Sequence, residues 1–289
     1  MQNKDSVDSG ADLLSKDGFL AVQKAQKLLS WSAKSWLSVL VVCQLLFVVY
    51  LIFAYANPAI IGEFTLWNGS SASAFVPNDT AGNIAFGMHV LLAIIMIVGG
   101  PLQLIPAIRN RFRTFHRING RIFVMLAILI SFAGIFLIWT RGTVGDTFMH
   151  SLTTFNGIVT IVSGYFAYTY AKQRKIVIHQ IWATRLFIVA NGVLYFRILL
   201  FGFLIGIGPV GIDFETFTGP TVLAISLCSY VIPVLYYEVY RSAQRSQSVI
   251  YIYTVGLSLI AVTLIFLVGT FGVTVANWLP TIQNSLASH

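Results

Sequence analysis

The chain has 289 residues, of which 57% are hydrophobic and only 10% charged, with a net charge of +8. Soluble domains are nearer one quarter charged, and the apolar runs here are long enough to cross a bilayer, which takes about 20 helical residues. A soluble enzyme and a nucleic-acid-binding protein are therefore excluded: the basic excess is shared among short loops between spans. Lipid offers the backbone no hydrogen-bond partners, so helices or a closed barrel must satisfy it. The apolar runs are continuous rather than alternating, which selects helices.

Residues 1–35 form a basic tail with Lys4, Lys16, Lys24, Lys27 and Lys34. A helical projection places Leu14, Ala21, Ala25, Leu28 and Leu29 on one side, and Lys16, Gln23, Lys27 and Ser30 on the other. That pattern suits a short cytoplasmic helix lying on the membrane surface. An all-α polytopic bundle follows over 36–276, with about seven spans predicted at 37–56, 82–105, 117–140, 147–170, 180–205, 220–240 and 249–276, and a tail at 277–289. Ala54-Tyr55-Ala56 has the small-residue pattern of a cleavage site, but its apolar run is span-length and reads as an uncleaved anchor. Cys43 and Cys228 lie in spans, outside any paired motif, and read as packing residues.

The loops alternate in charge. Arg109, Arg111, Arg113 and Arg117 fill one connection, Lys172, Arg174 and Lys175 a second, and Arg241 and Arg245 a third. The opposite loops hold Arg141 with Glu63, Asp79, Asp146, Asp213 and Glu215. The positive-inside rule predicts a cytoplasmic N-terminus and an external C-terminus, as in a bacterial inner membrane.

Five histidines are present, and His289 is terminal tail. The other four occupy spans two to five singly, in a core at 82–205. Alternating helix direction puts His89 and His150 near the outer boundary, and His116 and His179 near the inner one. Two imidazoles facing each other across a four-helix bundle suit axial ligation of a haem iron. Helix phase, at about 100° per residue, adds Gly134 and Arg197 at the outer level and Gly100 and Gly164 at the inner level. Glycines there would admit a flat macrocycle. Arg117 and Arg121, beside His116, would pair with haem propionates. Arg197, deep in an apolar helix, needs a propionate or an anionic substrate.

The run GPLQLIPAIRNRFRTFHRINGRIF, with HQIWATRLFIV and a downstream arginine, resembles a membrane family known as domain of unknown function 2306, over roughly residues 85–205. The layout of one histidine per helix resembles the cytochrome b561 proteins. That second likeness implies two b-type haems, His89 with His150 and His116 with His179 as iron ligands, and a small-molecule or quinol electron donor. The expected activity is transmembrane electron transfer, an oxidoreductase role, by a lipid-embedded protein that could pair as a homodimer and needs no nucleic acid. The alternative is a transporter or proton relay without haem, with His89, His150 and Arg197 along a polar path supported by Asn156, Thr160, Ser131 and Asn191. No nucleotide-binding glycine loop, nucleophile elbow or HExxH motif occurs.

Overall fold

The computed structural model describes residues 5–71, 73–142 and 144–287, with side chains from Asp17 onward. Lys4, His289 and the side chains of Leu14 and Lys16 lie outside the described residues. Helix α1 (Asp5–Leu51) runs through a π-helical turn (Ile52–Ala56) into α2 (Asn57–Ile60). A 3-10 turn (Phe64–Gly69) leads to α3 (Thr80–Leu104), α4 (Pro106–Arg111), α5 (Arg113–Thr140) and α6 (Thr147–Lys172). Then come α7 (Ile176–Val189), α8 (Gly192–Gly206), α9 (Pro220–Tyr230), α10 (Ile232–Arg245) and α11 (Val249–Val273). A second π-helical turn (Thr274–Trp278) and α12 (Leu279–Ala287) end the chain. An isolated antiparallel bridge joins Asp213 to Thr218.

Four stretches among the described residues are long and apolar enough to cross a membrane: Asp17–Ile60, Thr80–Leu104, Arg113–Thr140 and Val249–Ala287. The pairs α7 with α8 and α9 with α10 raise the number to six if each pair is one broken span. This is an all-α polytopic bundle of an integral membrane protein, and side chains such as Leu257, Leu264 and Phe271 of α11 stand exposed, as lipid contact requires. The expected fourth span at 147–170 is the exception. It forms a helix of 26 residues, but its threonines, serines, histidine and asparagine make it too polar to qualify. The amphipathic stretch at 13–31 is continuous with the first span. The stretch from Asp17 to Ile60 has 44 residues, about twice the ~20 that cross a bilayer.

The helices form two compact units. One comprises the chain up to Leu40 together with Leu235–Leu267. In it Ala25 and Leu29 of α1 are buried with Ala243, Ile252 and Val255, and the Gln26 amide donates to the Ala243 carbonyl at 3.0 Å. The other comprises Val41–Val234 with Val268–His289 and holds every histidine described. There α5 packs on α3 and on α6, α6 also packs on α7 and α9, and α8 packs on α9. The last turn of α11 lies directly on α8: a Cβ at Gly269 would run into the Ile198 carbonyl. Cys43 is buried and shares a hydrogen bond of 2.7 Å with Thr270, whereas Cys228, read as a packing residue like it, is exposed.

One end of this unit is latched by charge. Asp79 caps α3, accepting from the Gly82 amide at 2.9 Å, and receives the Arg141 Nε at 2.7 Å. Arg141 also donates to the Asn83 carbonyl oxygen Oδ1 at 2.6 Å and to the Ala74 carbonyl at 3.0 Å. The Gly82 amide first, and the guanidinium second, hold the Asp79 carboxyl below the usual carboxylate range. A depressed carboxylate stabilises the fold above its unfolded pKa, about 3.9, and loses that effect as pH falls through the lower folded value. Asp79→Ala is therefore expected to lower the melting temperature in detergent at pH 7. The gap from the wild type should narrow progressively below about pH 4; a gap independent of pH would show that the latch works through shape rather than charge.

Candidate functional site

Lipid-embedded side chains that carry N–H groups seek acceptors inside the protein, and His89, Asn119 and His179 find backbone carbonyls on neighbouring helices. His89 of α3 bonds through Nδ1 to the Ile130 carbonyl of α5 at 3.0 Å. A carbonyl only accepts, so Nδ1 carries the proton and Nε2 keeps its lone pair. The ring lies flush against Gly134, where a Cβ would stand 2.9 Å from the His89 Cε1. His150 of α6 instead meets Trp139 of α5 edge-on, at 6.4 Å between centroids. Trp139 leaves α5 about 140° around the helix from Gly134, so the two outer imidazoles pack on different sides of α5.

The glycines expected to line haem slots are filled by protein. Gly134 touches the His89 ring itself, Gly100 faces Phe123 and Phe187, and Gly164 faces Ile128 and Val124. Among the described residues no group of three or more His, Cys, Asp or Glu is placed to hold a metal ion. The expectation of two b-type haems ligated by His89 with His150 and His116 with His179 is overturned. With it go the four-helix haem core, the likeness to cytochrome b561 and the oxidoreductase role. The glycines serve close helix packing, the commoner use of small residues in membranes.

His116 of α5 and His179 of α7 lie within electrostatic reach of each other, with Arg109 near His116. Gln103, its amide nitrogen turned toward α5, donates to the His116 Nδ1 at 3.1 Å and accepts from the Gly120 amide at 3.2 Å. Asn119 donates to the Gly99 carbonyl at 2.9 Å, beside Pro101, which interrupts the α3 ladder. His179 Nδ1 meets the Ala167 carbonyl of α6 at 2.9 Å. The tautomers are thus opposite. Neutral His116 accepts at Nδ1 and presents an Nε2 proton; neutral His179 donates at Nδ1 and presents an Nε2 lone pair. Arg117 and Arg121 are exposed. Arg109, which loop charge alone assigned to topology, is the cation that reaches His116.

Helix α6 carries a second polar feature. Thr153, Asn156, Thr160 and Ser163, followed by Ala167, recur at intervals of three and four, which is one helix face. Thr160 and Ser163 are buried, while Ser151, Phe155, Ile158, Val162 and Tyr165 on the other face are exposed. The Asn156 amide donates to the Val189 carbonyl at 3.2 Å, at the point where α7 ends. There the helix bends by 47° before α8 begins. Asn191 accepts from the Gln44 amide at 2.7 Å and donates to the Phe187 carbonyl at 2.7 Å. A Cβ on Gly192 would press on Tyr230 and Asn156. The Asn156 Oδ1 and Gln44 Oε1 are buried without partners.

Arg197 follows on α8. It is half-buried, and no carboxylate pairs with it among the described residues. Its guanidinium lies over the Phe47 ring at 5.6 Å and the Tyr50 ring at 5.9 Å. Tyr55 and Tyr230 are within its electrostatic reach. An arginine at the centre of a span costs about 2.5–3.5 kcal/mol to insert, and each cation–π contact returns about 0.5–2 kcal/mol. The two rings thus account for its tolerance without giving its N–H groups an acceptor.

Residues 86–219 match the model of a family described as a predicted membrane protein, DUF2306. No curated protein and no solved structure matches the chain. The matched stretch holds His89, His116, His150, His179, the polar face of α6, the break at Asn191 and Arg197; Phe47, Tyr50, Tyr55 and Trp278 lie outside it. Residues that sequence reasoning passed over are Gln103, Asn119, Gln44 and Tyr230. The dipeptide Asn191-Gly192 is a turn signal that could have revealed the break in the fifth predicted span. Gly134→Val should unseat His89: overpacking costs about 1–3 kcal/mol, and nitrogen NMR of labelled histidine should show the Nδ1-protonated form of His89 giving way to a mixture. An unchanged tautomer would mean that Gly134 does not seat the ring.

Proposed function

We propose that the protein is a membrane transporter that relays protons along the buried face of α6. The observation that supports this reading is the polar face from Thr153 to Ala167, which turns inward, with Thr160 and Ser163 buried. It extends about 21 Å, some two-thirds of the ~30 Å hydrocarbon thickness. At one end, the Ala167 carbonyl holds His179, whose open Nε2 accepts a proton, beside His116, whose Nε2 offers one. At the other end His150 lies one turn beyond Thr153, and His89 keeps an open Nε2 on the far side of α5. Histidines with opposite tautomers suit a relay, because an imidazole can give a proton at one nitrogen and take one at the other. The positive-inside rule, read from the basic loops, supports a cytoplasmic position for the His116 and His179 end. A break within a span, lined by uncommitted amide oxygens, is the backbone irregularity that transporters place at their sites.

Purified protein in vesicles loaded with a pH-sensitive dye tests this. Under an imposed proton gradient, wild-type vesicles should take up protons faster than empty ones. The paired change Asn156→Leu and Thr160→Val, and separately His179→Phe, should each slow uptake by roughly tenfold or more. Wild-type uptake no faster than that of empty vesicles would refute the relay.

A further inference from the structure

The α6 path does not use the aromatic enclosure around Arg197. Phe47, Tyr50 and Trp278 stack on one another, with centroids 5.9 Å apart for Phe47 and Tyr50, 5.4 Å for Phe47 and Trp278, and 6.0 Å for Tyr50 and Trp278. Tyr55 meets Tyr50 edge-on at 6.3 Å. Tyr50 is 0% exposed and Trp278 1% exposed. The Trp278 Nε1 has no hydrogen-bond partner; the Tyr50 hydroxyl neighbours that of Tyr55 but makes no bond of good geometry. Buried indole and phenol donors normally find acceptors. Backbone irregularity also converges here. Tyr55 lies in the π-helical turn Ile52–Ala56, Trp278 in the turn Thr274–Trp278, and Arg197 stands shortly after the break at Asn191. Such turns recur at functional sites.

We propose that Arg197, Tyr50 and Trp278 form a binding site for a small monocarboxylate with an apolar or aromatic body. The chemistry of the donors selects this class. One guanidinium balances one negative charge, and its fork of N–H groups matches two carboxylate oxygens. The Tyr50 hydroxyl and the Trp278 indole N–H add donors, so the Arg197 enclosure lacks an acceptor, which the ligand supplies. Phe47, Tyr50, Tyr55 and Trp278 make its surroundings apolar and aromatic, which favours an apolar body over a polar one. That the bound anion is also moved across the membrane rests on the transport reading above; binding itself does not.

Benzoate is a suitable probe, with neutral benzamide and chloride as comparisons, read as the melting temperature of the purified full-length protein in detergent. Benzoate should raise the melting temperature with a saturable dependence, and benzamide and chloride should not. Arg197→Gln should abolish the shift. Arg197→Lys, which keeps the charge but not the fork, should weaken apparent affinity by about tenfold. Tyr50→Phe, which keeps the ring, should weaken it by about fivefold. Size-exclusion profiles identify variants that have not folded, and the two conservative variants carry the test if Arg197→Gln is among them. An equal shift with benzamide or chloride, no shift with benzoate, or a shift unaffected by these substitutions would overturn the assignment. The two readings fail separately: a benzoate shift in a protein without proton flux sinks only the relay, and proton flux without a benzoate shift sinks only this site.

Discussion

A polar group surrounded by lipid has no water to bond, and this constraint shapes the bundle more than any apolar contact does. Apolar side chains gain little by leaving hydrocarbon for one another. Helices are joined instead by close packing and by side chains that reach a neighbour's carbonyl. Three such bonds tie the histidine-bearing unit together: His89 to Ile130, Asn119 to Gly99, and His179 to Ala167. Asn156 to Val189 adds a fourth. Each crosses from one helix to another, and each fixes the state of the group that donates. For the histidines this has a chemical result, because the nitrogen used for structure determines which nitrogen is left for proton exchange.

The same constraint explains why a haem reading of the histidines fails. Four imidazoles at two depths meet the requirement of level but not of separation. Iron ligation needs two rings facing each other across a gap. Here the small residues that would open such a gap close it: Gly134 lets the His89 ring lie against α5, and Gly100 and Gly164 accept neighbouring side chains. Glycine on an inward face is needed both for a slot and for contact, and only the positions of the facing side chains distinguish the two.

Polarity that the bundle does not use for joining helices gathers around the break between α7 and α8. Asn191, Gln44 and Asn156 satisfy part of the interrupted backbone and one another, leaving two amide oxygens over. A short distance along α8, Arg197 is covered by rings rather than by a counter-ion. A break, two π-helical turns and a lone guanidinium are each destabilising in lipid. Their concentration in one region is the pattern of a site that trades stability for binding.

Much of this was legible in the residue order. Continuous apolar runs located α3, α5 and α6 to within a few residues, but they missed that α1 begins far before its apolar run and that the fifth and sixth predicted spans are each broken in two. Helix phase placed Gly134 at the level of the outer histidines, and it does touch His89. The polar face of α6 was partly visible in Asn156 and Thr160. The break was signalled by Asn191-Gly192, but apolar residues on both sides hid it in a run of span length. Periodicity reports which face of a helix turns inward and at what depth, since both follow from rise and rotation along one axis. It does not report what stands opposite. The pairing of His116 with His179, the separation of His89 from His150 by α5, and the rings over Arg197 depend on how different helices are rotated against each other, and packing in three dimensions decided them.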